Sequence, residues 1–129
     1  MKNGTKLIDI GTRIIAAGIF SYSAFMKLTA APAAVHIFQR INMEPAGRFS
    51  VAGLEILAII LLLIPKMAWR GALLGMVLML GAIVVHIITN EFDVLGDGGL
   101  MFASAIVVFF SCISILLYQA DMETSVTDI

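Results

Sequence analysis

The chain has a single cysteine, Cys112, so it can form no internal disulfide, CxxC redox pair or cysteine-based metal cluster. Thiol oxidation and quinone-linked disulfide exchange are therefore disfavoured. Cys112, set inside an apolar run, reads as a small buried residue. Charge is also scarce: 13% of residues are charged, about half the share usual in a soluble domain, roughly 25%. The formal net charge is −1, which gives a nucleic-acid partner no electrostatic support. There is no HExxH, no glycine-rich phosphate loop and no Gly-x-Ser-x-Gly elbow. The two histidines, His36 and His86, are too far apart in sequence to form a recognisable metal motif, and a haem held by both has little support. No repeat period stands out.

What fills the chain is hydrocarbon. Sixty per cent of the 129 residues are hydrophobic, with a mean hydropathy of +1.03. The excess lies in four runs, near Leu7–Leu28, Phe49–Ile64, Ala68–Ile88 and Leu100–Tyr118. Each approaches or reaches the ~17–25 residues a helix needs to cross a hydrocarbon core. The fold expected is all-α: an integral membrane four-helix bundle in one domain over residues 1–129, with spans near 8–28, 49–64, 69–88 and 100–118. Arg13 lies inside the first run and Lys27 closes it, which does not match a cleaved signal peptide, so the first span is expected to stay.

Between the first two spans, Pro32 to Ile41 reads PAAVHIFQRI. Proline suits a first helical turn. Ala34, Ile37, Phe38 and Ile41 share one helical face, while His36, Gln39 and Arg40 share the other. That pattern predicts a short helix lying at the interface. Pro65-Lys66 should end the second span in a tight hairpin, and the acidic tail after Tyr118 is expected to fray. Lys2, Lys6, Lys66 and Arg70 gather on one side; on the other, Thr89–Gly98 has no Lys or Arg, while Thr29–Gly47 carries Arg40 with Lys27 and Arg48 at its edges. The balance favours cytoplasmic termini. Gly71 and Gly75 have the small-xxx-small spacing that brings membrane helices close. It serves packing within the bundle, or a homo-oligomer through the Gly71/Gly75 face.

The chemistry is confined to polar groups inside the spans. A centrally placed charge costs at least ~2.5–3.5 kcal/mol on insertion scales. Glu55 is the clearest case. At ~1.5 Å rise per residue it lies about 10 Å from Arg48 and about 13 Å from Ile64, too deep to reach water. It must be protonated, paired or facing a wet cavity. Arg13, Phe20 and Lys27 share a stripe on the first helix. Glu55 falls between Arg13 and Lys27 in depth, near Ser21, Tyr22 and Ser23, with a remaining gap of about 9–12 Å to the basic groups. Lys27, Arg48, Glu55 and His86 converge in depth on one half of the bundle. Each has a plainer role open to it: helix-end anchor for Lys27, Arg48 and His86, internal neutralisation for Arg13, and an interhelical ion pair for Glu55.

The ordered set of features resembles the DoxX-like family of small four-helix bacterial membrane proteins. It comprises Arg13, Met26-Lys27-Leu28-Thr29 with Ala31-Pro32-Ala33-Ala34-Val35, Phe38, Glu44-Pro45 and Val51-Ala52-Gly53-Leu54-Glu55. Leu61-Leu62-Leu63-Ile64-Pro65-Lys66, Arg70-Gly71-Ala72-Leu73-Leu74, Gly81-Ala82-Ile83 and His86 complete it. Ser23-Ala24 departs from the glycine the family often has before Lys-Leu. The resemblance implies a multi-pass protein of the bacterial inner membrane, with Lys27, Glu55 and His86 at family-typical places. It links such proteins to quinol or thiosulfate:quinone oxidoreductase complexes, and distant relatives to assembly of other membrane proteins.

With no intrinsic cofactor, the chain is expected to be no enzyme alone. Its expected role is a non-catalytic accessory subunit of a quinone-linked redox system in the lipid bilayer, beside other membrane redox subunits. Candidate ligand contacts are Glu55, Lys27, His86, Arg48, Arg13 and Tyr22, and a quinone or lipid-like molecule is the candidate ligand. A proton-coupled carrier or channel and an assembly factor remain alternatives.

Overall fold

A computed structural model describes residues 2–127, with side chains described for residues 4–123. The protein is 84% helix, with no strand among the described residues. Five helices follow in order: α1 (Lys2–Leu28), α2 (Pro32–Arg40), α3 (Ala46–Leu63), α4 (Ala68–Thr89) and α5 (Leu100–Thr127). All but α2 are long and apolar enough to cross a membrane. The four long helices pack as a ring in the order α1, α3, α4, α5, each against its two neighbours. The chain runs up and down through them.

Local chemistry explains the breaks. Ala31 takes an extended backbone (φ −58°, ψ 140°) before Pro32, which then starts α2 without needing an N–H donor. Pro65 stops α3, and a single 3-10 turn, Pro65–Met67, reverses the chain into α4. Asn90 ends α4 in the left-handed region (φ 55°), where its N–H satisfies the carbonyls of His86 and Ile87. The expected short helix between the first two spans is present, with Ala34, Ile37 and Phe38 buried; Ile41 lies just beyond it as the C-cap.

The helix ends differ from expectation in two places. Helix α1 begins by Lys2 rather than near Ile8, and α5 continues through Thr127 instead of fraying after Tyr118. A helix satisfies its backbone internally whether or not lipid surrounds it, so apolar composition marks the membrane-embedded part and not the whole element.

The core is built from Ala16, Phe20, Ala58, Leu62, Ala72, Met79, Val108, Cys112 and Ile115. Small residues let the helices close up. A Cβ on Gly71 would sit 2.7 Å from the Leu62 backbone nitrogen, and one on Gly75 2.8 Å from the Cys112 sulfur. Both glycines are buried within the bundle. The two glycines thus pack within the bundle, against α3, α5 and Phe20 of α1.

Candidate functional site

Glu55 is fully buried, at 0% exposure, on the third turn of α3. Lys27, itself 8% exposed, brings its ammonium to 3.0 Å from Glu55 Oε1. The contact is a close ion pair, but it is not aligned as a hydrogen bond, and neither Glu55 oxygen has a hydrogen-bond partner among the described residues. Lys27 Nζ instead donates to Ser23 Oγ at 2.5 Å, one turn back along α1. Side chains lean toward the N-terminus of their own helix. Because α1 and α3 are antiparallel, that lean carries Lys27 down and Glu55 up, closing the 9–12 Å expected from helix rise alone.

The two arginines are employed elsewhere. Arg48, 5% exposed, grips Glu44 through Nε (2.8 and 2.9 Å) and Nη2 (2.8 Å). Its Nη1 donates to the Lys27 carbonyl oxygen, capping the C-terminus of α1. It therefore holds the backbone of Lys27, while Glu55 holds the side chain. Arg13 is at the opposite end of the bundle. Its Nε donates to the Leu62 carbonyl at 2.8 Å and its Nη1 lies 3.7 Å from Asp9 Oδ2, so it does not join the Glu55 cluster. Tyr22 is more than half exposed, at 55%, and only edges the cavity beside Glu55.

His86, 2% exposed, sits near the end of α4 with Nδ1 2.6 Å from the Glu91 carbonyl. A carbonyl only accepts, so Nδ1 carries a hydrogen and donates to it. The same segment clips α2 in place. The Glu91 carboxylate meets His36 Nε2 at 3.0 Å and Arg40 Nε at 3.5 Å, and Arg40 Nη2 donates to the Thr89 carbonyl at 3.1 Å.

Asp97 is a site residue that sequence reasoning passed over. Its Oδ1 accepts from Val94 N at 3.0 Å and Gly99 N at 2.8 Å, and its Oδ2 accepts from Met101 N at 3.1 Å in the first turn of α5. Burial works to raise its carboxyl, but the backbone N–H groups of Met101, Gly99, Val94 and Leu100 outweigh that and hold it below the ordinary 3.8. A lowered carboxylate stabilises the fold fully above its unfolded value and loses that contribution as pH falls through the folded one. Melting curves from pH 6 to pH 3 should therefore fall in the wild type below about pH 4. An Asp97→Asn variant should start about 1 kcal/mol lower, as for other lost caps, and fall less. The signal in the sequence was an Asp three residues before a helix start in a glycine-rich loop.

Two cavities meet at these side chains. The first, about 130 Å³, is lined by Glu55, Lys27, His86, Asp97 and Ser104 together with apolar groups such as Phe20. The second, about 260 Å³, is an apolar groove between α2, α3 and α4 lined by Ile37, Phe38, Val51 and Val77. They share Lys27, Met79, Ala82, His86 and Met101 as a common wall. The arrangement can hold a polar head against an ion pair and an imidazole, with an apolar body alongside. Among the described residues no group of three or more His, Cys, Asp and Glu could hold a metal ion.

A family model described as the DoxX-like family matches residues 12–114. No curated protein and no solved structure matches the chain.

Proposed function

The chain belongs to the DoxX-like family, and on that premise we propose that it is a non-catalytic accessory subunit of a bacterial inner-membrane redox system, holding the head group of a quinone-like molecule beside Glu55. The observation that carries this reading is a fully buried carboxylate without a hydrogen-bond partner on a cavity wall, next to Lys27 and His86. Buried polar groups are nearly always satisfied, so an open one on a cavity points to a missing partner. Size agrees as well. A dry protein cavity of roughly 150 Å³ accommodates a benzene ring, so about 130 Å³ suits one ring-sized head. The adjoining apolar groove suits a tail. Lys27 supplies a donor for a carbonyl oxygen and Glu55 an acceptor for a hydroxyl, so both oxidation states of such a head find partners.

The test is a thermal shift on the purified protein in neutral detergent, with a short-chain ubiquinone as probe. The wild type should be stabilised by about 2.7 kcal/mol when the probe is at 100 times its dissociation constant. Glu55→Gln keeps the size and the acceptor facing Lys27 but loses the charge, and should lose most of the shift while retaining its helix content. A full shift in the variant sinks the reading. Proton-coupled flux of a solute in liposomes, abolished by the same substitution, would favour a carrier instead.

A further inference from the structure

We propose a second ligand site at the other end of the bundle, in the seam between α1 and α5, that takes a primary ammonium group. Asp9 lies 18 residues before Lys27 on α1, about 27 Å away at the helical rise, so this site is separate from the one around Glu55. Asp9 is only 3% exposed, and its Oδ1 has no hydrogen-bond partner. Its other oxygen faces Arg13 Nη1 at 3.7 Å, beyond hydrogen-bonding distance. Asp9 lines a cavity of about 360 Å³ together with Thr5, Ile8, Ser114, Leu117, Tyr118 and Asp121.

The lining selects the ligand class. Asp9 and Asp121 put two carboxylates on a lining that carries no Lys or Arg, so the seam favours a cation. Oδ1 lacks a donor, and the hydroxyls of Ser114 and Tyr118 can accept hydrogen bonds, so the cation must carry N–H groups. A primary ammonium supplies three; a quaternary ammonium supplies none. A metal ion fits less well, because no group of three or more His, Cys, Asp and Glu forms here among the described residues. Ile8 and Leu117 stand 61% and 66% exposed at the rim, as acyl chains beside a bound head group would require. The ammonium of an aminophospholipid therefore meets both halves of the cavity, and a free amine meets only the polar half.

Native mass spectrometry of the full chain in neutral detergent tests this with phosphatidylethanolamine and phosphatidylcholine of identical acyl chains, and with ethanolamine as competitor. Phosphatidylethanolamine should be retained about tenfold better, the worth of roughly one charged hydrogen bond. Asp9→Asn should bring that preference down to parity. Asp121→Lys, an exposed change that leaves the fold in place, should do the same by repelling the ammonium. Ethanolamine that binds as tightly as the lipid, and displaces it, would keep the site but assign it to a soluble amine. Equal retention of the two lipids, or a preference that survives both substitutions, overturns the proposal.

Discussion

Lys27→Ala is expected to destabilise the bundle by about 3–5 kcal/mol, the usual penalty for removing one partner of a buried ion pair. The reason is what it leaves behind. Glu55 has no exposure and no hydrogen bond to fall back on, so losing the ammonium 3.0 Å away strands a carboxylate in hydrocarbon. The double variant Lys27→Met with Glu55→Leu removes both charges and keeps the volume. It should recover most of the loss, since an apolar pair of similar size commonly equals a buried salt bridge. Unfolding in mixed micelles, followed by circular dichroism, measures both. A single variant as stable as wild type would mean that Glu55 is satisfied in some way the ion pair does not describe. Recovery of stability without recovery of the ubiquinone shift would separate holding the fold from holding a ligand.

Gly71→Ala should cost about 1–3 kcal/mol, the range for overpacking a close-packed contact. The added methyl would meet the Leu62 backbone nitrogen at 2.7 Å and Leu61 Cβ at 3.0 Å, and backbone cannot rotate away as a side chain end can. The α3–α4 hairpin would have to part. Gly18→Ala is the control, because a Cβ there meets nothing within 4 Å. It should be neutral, or gain up to about 1 kcal/mol from helix propensity. Equal effects at the two positions, read from the same unfolding assay, would show that close approach at Gly71 is not what the glycine provides.

The four spans were legible because a membrane demands a fixed length of apolar helix, and Ala46–Leu63 or Ala68–Thr89 carry little else. Glu55 and Lys27 were legible for the opposite reason: a charge in such a run is costly enough to need a partner. Their pairing was harder, since depth alone left a gap and only the opposed lean of side chains on antiparallel helices closes it. The backbone partners of Arg13, Arg48 and His86 could not be read at all. Each bonds to a backbone carbonyl, of Leu62, Lys27 and Glu91 respectively, and every residue type offers the same carbonyl. Glu44 did leave a trace, four residues before Arg48, the spacing of a helical ion pair.

The two arginine caps have a mechanical consequence. Arg13 of α1 closes the end of α3, and Arg48 of α3 closes the end of α1. Fastened crosswise at both extremities, this pair cannot slide by a residue without releasing both bolts and leaving two helix ends bare. It forms the stiff spine of the molecule. Any breathing that admits a guest to the space beside Glu55 must then come from the opposite half, where Glu91 ties the strap of α2 to the end of α4.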